Sequence, residues 1–199
     1  SSLPVVINPQ PATPAPPQIS SITQPTCGLA TGIVTLSGLP SVGSWTLTRS
    51  PGAITTTGTG TSRTIGGLAP GNYTYTVTNS VGCTSTASDP VVINAQPVTP
   101  DAPEIDVLIQ PTCSVATGSV TLGGLPSVGI WTLIRTPGSV INSGTGSSTT
   151  ISDLSSGSYT YTVTNLAGCI SASSLPVVIN PQPATPTAPV VGTIIQPTC

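Results

Sequence analysis

Residues 72–83 read NYTYTVTNSVGC, and residues 158–169 read SYTYTVTNLAGC. In the first copy Tyr73, Tyr75 and Val77 alternate with Thr74, Thr76 and Thr78. A period of two puts the aromatic residues and valine on one face of a strand and the threonines on the other. The stretch recurs at a fixed distance: 159 − 73 = 86 for its first tyrosine and 169 − 83 = 86 for its cysteine. Cys27, Cys113 and Cys199, each closing a QPTC, keep the same step, as do Trp45 with Trp131 and Arg49 with Arg135. No insertion is needed anywhere. A solenoid turn usually takes about 20–50 residues, so this longer period suits one small β-sandwich per repeat.

Outward from that strand, the rest of the module is legible. An opening strand covers roughly Ile19 to Thr23. GIVTLSGL follows with Val34 and Leu36 inward; Ile33, which becomes Ser119 in the second copy, is outward. SWTLTR then turns Trp45 and Leu47 inward, AITTTGTG and SRTIGGL lead to the quoted strand, and PVVIN closes the module. Seven short strands separated by turn residues predict an all-β chain of tandem immunoglobulin-like or fibronectin-III-like sandwiches. Leu68, Gly71 and Tyr73, with Leu154, Gly157 and Tyr159, match a tyrosine corner, in which a tyrosine hydroxyl ties down the turn before the sixth strand. As plain core aromatics, Tyr73 and Tyr159 would predict the same fold, and Trp45 and Trp131 are core candidates. The predicted layout is a last strand of a preceding repeat at 1–10, repeats at 18–96 and 104–182, and a first strand of a next repeat at 190–199. Pro-rich spacers occupy 11–17, 97–103 and 183–189. Proline favours extended, semi-rigid backbone, so these spacers hold neighbours in line where glycine–serine linkers would let them tumble. Because SSLPVVINPQ stands both at residue 1 and at residue 173, the chain is expected to begin and end within a longer array.

Composition narrows the function. Of 199 residues only 4% are charged, net charge is −2, and His, Phe and Met are absent. A surface this bare cannot steer nucleic acid or anionic lipid. No apolar run approaches the roughly 18 residues of a membrane span. Without His or Lys the usual general bases and Schiff-base chemistry are missing, and so is the lysine of a P-loop. GTGTSR has two glycines of a dinucleotide loop but no helix after it, so it is a turn. The acids Asp89, Asp101, Glu104, Asp106 and Asp153 do not recur at the period, which argues against a calcium junction or a catalytic pair. Neither enzyme activity, nor a metal, nor a cofactor is expected.

Five cysteines remain: Cys27, Cys83, Cys113, Cys169 and Cys199. None forms C-x-x-C and no histidine can complete a zinc site. A sandwich with so thin a core needs staples, and disulfides imply an oxidising, extracellular location. Cys27 with Cys83 would close one sandwich, worth about 4 kcal/mol in the entropic model. Yet the second and sixth strands run the same way, which leaves these cysteines at opposite ends. Seven strand residues span roughly 23 Å, whereas a disulfide tolerates about 4.4–6.8 Å between Cα atoms. The alternative, Cys27 with Cys169, would clamp one sandwich to the next and needs the spacer to fold back alongside. The balance falls toward the clamp.

Other features have plainer readings. Arg49 and Arg135 recur and could meet an anionic ligand or a neighbour; more simply, each packs its stem beside Trp45 or Trp131. Asn72-Tyr73-Thr74 is an N-glycosylation sequon that the second copy lacks. The row Thr74, Thr76, Thr78 resembles an ice-binding face, but one row on one strand is narrow and threonine is an ordinary outward strand residue.

The repeats, with QPTC, ATG-x-V-x-L-x-GLPS, the tryptophan, G-x-YTYTVTN-x-x-GC and the P-x-PATP-x-AP spacer, resemble the tandem immunoglobulin-like repeats of very large Bacteroidetes surface proteins, including gliding and attachment adhesins. That resemblance covers essentially the whole chain. It implies export to the cell surface, by the type IX route, and a role as stalk or filament. The expected partners are neighbouring repeats and other copies in a filament. The rival expectation is multivalent binding of a glycan or surface by the repeats themselves.

Overall fold

The computed structural model describes residues 10–197, and every element among them is a strand. Two compact units divide the chain, Ser1–Val98 and Thr99–Cys199. In the first, β1 (Gln18–Thr23), β2 (Gly32–Ser37) and β5 (Ser62–Leu68) form one sheet in the order β1-β2-β5. The facing sheet is β4-β3-β6-β7, from β4 (Ile54–Gly58), β3 (Trp45–Ser50), β6 (Gly71–Thr78) and β7 (Val91–Ile93). The second unit repeats this with β8 (Glu104–Ile109), β9 (Gly118–Gly123) and β12 (Thr149–Leu154) against β10 (Trp131–Thr136), β11 (Val140–Gly144), β13 (Gly157–Thr164) and β14 (Val177–Ile179). All pairings are antiparallel. The fourth strand joins the β3 sheet instead of lying beside β5, which is the fibronectin-III-like arrangement of this sandwich.

Alternation along each strand builds the core. Val34 and Leu36 of β2, Trp45 and Leu47 of β3, Tyr75 and Val77 of β6, and Val91 and Ile93 of β7 are all buried between the sheets. Their equivalents Val120, Leu122, Trp131, Leu133, Tyr161, Val163, Val177 and Ile179 fill the second core. Each tryptophan is laid flat by a glycine. A Cβ at Gly58 would come within 2.5 Å of the Trp45 ring, and one at Gly144 within 2.7 Å of Trp131. Two residues on, the turn carbonyls of Gly60 and Gly146 accept the indole N–H at 2.7 Å. GTGT is therefore a tryptophan cradle as well as a turn.

The tyrosine corner is present in both units. Tyr73 donates to the carbonyl of Ala69 at 2.7 Å and Tyr159 to that of Ser155 at 2.9 Å. The intervening Gly71 and Gly157 have φ of 155° and 157° and stand 3.5 and 3.4 Å, measured from a hypothetical Cβ, from those hydroxyls.

The expected strand at 1–10 lies outside the described residues except for Gln10. Residues 190–197 form no strand, although a first strand was expected over 190–199. β1 and β8 are strands because they pair with β2 and β9, and no described strand pairs with 190–197.

Two predictions follow from the core. Gly144→Ala, which drives a methyl into Trp131, should cost the second unit about 1–3 kcal/mol in denaturant unfolding. Burial pushes the Tyr75 and Tyr161 hydroxyls above their ordinary value of 10.0; Arg49 and Arg135 oppose this, and the neighbouring tyrosines add to it. The folded state then holds these protons longer than the unfolded chain does, so the contribution is full below pH 10 and fades as pH rises through the folded value. Melting temperature should fall in that alkaline window, and the Tyr75→Phe, Tyr161→Phe double variant should flatten the fall.

Candidate functional site

The two ends of β6 carry the residues that the repeat duplicates. At its far end the chain turns at once. Asn79 accepts through Oδ1 from the amides of Val81 (3.2 Å) and Cys83 (2.9 Å), while its own backbone N–H donates to Cys83 carbonyl at 3.0 Å. Gly82 closes the turn at φ 88°. Asn165, Cys169 and Gly168 repeat the geometry, with Asn165 Oδ1 3.0 Å from the Cys169 nitrogen. TN-x-x-GC is thus an asparagine-capped turn that fixes a cysteine at the end of the sixth strand. In the first unit it also holds the leading spacer: Asn79 Nδ2 donates to Ala12 carbonyl at 3.1 Å, and Cys83 Sγ lies 3.8 Å from Pro11 carbonyl.

Beyond the cysteine no strand forms for several residues, yet the sheet edge is not left open. Ser85 and Ser88 are buried, and their hydroxyls accept from the amides of Val77 (3.0 Å) and Tyr75 (3.1 Å). Their own amides return bonds to the Val77 and Tyr75 carbonyls. Ser171 and Ser174 do the same for Val163 and Tyr161. These serines stand in for a ladder where the backbone strays.

At the opposite end, QPTC is strapped to the chain leaving β7. Gln24 donates through Nε2 to Val92 carbonyl and accepts at Oε1 from the Asn94 amide, both at 2.9 Å. Gln96, just before the trailing spacer, donates to Cys27 carbonyl at 2.9 Å. In the second unit Gln110 bonds Val178 and Asn180 at 2.8 Å each, and Gln182 bonds Cys113 carbonyl at 3.0 Å. A side-chain amide here supplies one donor and one acceptor, as a backbone strand would. Sequence inspection missed Gln24, Gln96, Asn79, Ser85 and Ser88 as a set. The available signal was that each recurs at a step of 86 while Thr86 and Ala87 between the serines do not.

Cys27 thus sits beside the start of β6 and Cys83 beyond its finish, with eight strand residues, roughly 25 Å, between. Cys83 carries a free thiol, so the Cys27–Cys83 closure is not made. Cys27 and Cys169 are disulfide-bonded, and Cys113 is free and exposed. Cys199 lies outside the described residues.

Arg49 and Arg135 each meet a tyrosine through the guanidinium. Each guanidinium stacks 5.1 Å from a tyrosine ring centre, Arg49 on Tyr73 and Arg135 on Tyr159. Register sets this contact: Arg49 faces Tyr75 across β3–β6, two residues along β6 from Tyr73. Asn72 is exposed on β6 opposite Val92. The threonine row is wider than one strand. Thr78, Thr46 and Thr57 align across β6, β3 and β4, as do Thr76, Thr48 and Thr55. In the second unit Ile134 and Ile141 interrupt the middle row. Among the described residues no three of His, Cys, Asp and Glu gather as a metal site.

No family model and no curated protein matches the chain. Solved structures similar to it include the chicken CNTN1 FN1–FN3 domains, at 12% identity and TM-score 0.40, covering 84% of this chain and 69% of that one. Murine CEACAM1b gives 16% identity and TM-score 0.43 over 83% and 98% of the two chains. The human OSCAR ligand-binding domain gives 14% and 0.35 over 84% and 100%. At such low similarity the fold rests on the strand order itself: each of the two units is an immunoglobulin-like, fibronectin-III-like sandwich, and the chain carries a disulfide.

Replacing Asn79 by Ala strips two amides of their acceptor and should cost about 1 kcal/mol. Hydrogen exchange at the Val81 and Cys83 amides should quicken while the Gly71–Thr78 strand amides keep their protection.

Proposed function

We propose that the chain is the repeat region of a long extracellular fibre or adhesin stalk, in which a disulfide from the QPTC end of one sandwich to the TN-x-x-GC turn of the next, Cys27 to Cys169, stiffens each joint. The observation that carries this is the oxidation pattern: among the described residues one cysteine of each motif is bonded and one of each is free. That is the pattern expected if every QPTC cysteine takes its partner from the following repeat, which leaves Cys83 and Cys113 to pair with neighbours on either side. The bonding of both cysteines favours an oxidising, extracellular setting.

Local structure supports a mechanical role. Within the first unit the leading spacer is tied to the Asn79 turn, and Gln96 at the entry to the trailing spacer is tied to QPTC, so proline stiffness continues into the sandwich. A nearly uncharged, hydroxyl-covered surface gives neighbouring chains little electrostatic reason to stay apart, and so favours filaments built from several copies. The resemblance to Bacteroidetes surface adhesins points the same way, with export by the type IX route. Multivalent glycan binding is the lesser alternative, because Arg49 and Arg135, its only recurring candidates, are already engaged with tyrosine rings.

Thiol alkylation followed by non-reducing peptide mapping of the intact chain tests the joint. A Cys27–Cys169 cross-link with Cys83 and Cys113 alkylated is the expected result; a Cys27–Cys83 cross-link would end the clamp. In small-angle scattering, reductant should broaden the distribution of distances within the chain, and Cys27→Ser should do so without reductant.

A further inference from the structure

Beside the core of the first unit lies a small cavity of about 20 Å³ lined by Leu47, Arg49, Ile54, Thr56, Ile65 and Tyr75. Two of its polar groups have no protein partner although both are buried: the Nε–H of Arg49 and the hydroxyl of Tyr75. Tyr75 as a whole is only 1% exposed. The second unit leaves the same two groups unpartnered, Arg135 Nε and the Tyr161 hydroxyl. A buried donor left without an acceptor costs about 1–3 kcal/mol, so two such groups recurring in both units call for a common partner. Arg49 and Tyr75 lie opposite one another in the β3–β6 ladder, yet their side chains do not bond each other.

We propose that each sandwich binds one internal water molecule that accepts from the arginine Nε–H and hydrogen-bonds the tyrosine hydroxyl, Arg49 with Tyr75 and Arg135 with Tyr161. The size agrees, since a cavity needs roughly 10–15 Å³ to hold one water, and a buried water takes two to four polar partners. The chemistry agrees as well. Arg49 Nε–H can only donate, the tyrosine hydroxyl can donate or accept, and Thr56 on the rim offers another hydroxyl. Leu47, Ile54 and Ile65 line the apolar part of the recess, and its water-sized interior suits a single small guest. A halide would have to give up its hydration for three donors at most, whereas water fills both donor and acceptor roles.

The water accounts for the recurrence of an arginine that has no carboxylate partner among the described residues. Stacked on Tyr73 by its plane and tied through Nε to Tyr75, Arg49 links two tyrosines of β6 from the neighbouring strand β3. YTY and the arginine then form one unit, which is why they recur together.

A high-resolution crystal structure of the intact chain, with a parallel bromide soak, tests this directly. The expected result is a solvent peak within about 2.7–3.2 Å of both Arg49 Nε and the Tyr75 hydroxyl, and its twin at Arg135 and Tyr161, with no anomalous signal at either place. Empty density, or an anomalous bromide peak there, overturns the proposal. In solution, the long-lived water seen by magnetic relaxation dispersion should halve on Tyr75→Phe and vanish on adding Tyr161→Phe; an unchanged amplitude in the folded double variant also overturns it. Should the double variant not fold, the wild-type density still decides.

Discussion

The register of β6 governs each sandwich. One face of its eight residues supplies Tyr75 and Val77 to the core, and the other presents Thr74, Thr76 and Thr78 to solvent. Its first residues hold the tyrosine corner and its last run into the asparagine turn. Slipping the strand by one residue would exchange every inward and outward side chain, detach Arg49 from its tyrosines, and move Cys83 off the end of the sheet. A core lacking Phe and Met has little apolar surplus to absorb such an error. The hydrogen bonds from Asn79, Ser85 and Ser88 to the local backbone fix that register after the last core residue has been placed.

The same economy explains which parts of the structure were legible in the sequence. Alternation in GIVTLS, SWTLTR and NYTYTVT reports burial directly, so the strands, the two tryptophans and the tyrosine corner could be read from residue types alone. The placement of Arg49 could not. Arg49 shares a strand with Trp45, and only the pairing of β3 with β6 shows that its guanidinium meets a tyrosine ring. The threonine face was legible as one row and is in fact several strands wide, because cross-strand neighbours are set by register and not by sequence distance. Gln24 and Gln96 were opaque for another reason. A polar side chain doing a backbone's work has no periodicity of its own, and glutamine is ordinarily a solvated surface residue.

These polar straps also change how the proline-rich segments are to be understood. Proline alone gives a spacer stiffness along its length and says nothing about its ends, and a stiff rod on two loose pivots still swings. In the first unit one end of each spacer is restrained: Asn79 bonds the Ala12 carbonyl of the leading spacer, and Gln96, at the entry to the trailing one, bonds the Cys27 carbonyl. Glutamine and asparagine are well suited to this, since they bond without charge and keep their strength at any salt concentration or pH at which the chain stays folded. In a chain with 4% charged residues, stiffness that owes nothing to ion pairs is also stiffness that sea water, acid or divalent cations cannot screen away. The proposed disulfide at each joint would extend that logic: proline sets the direction, the amides hold the ends, and a covalent bond would limit the swing that remains.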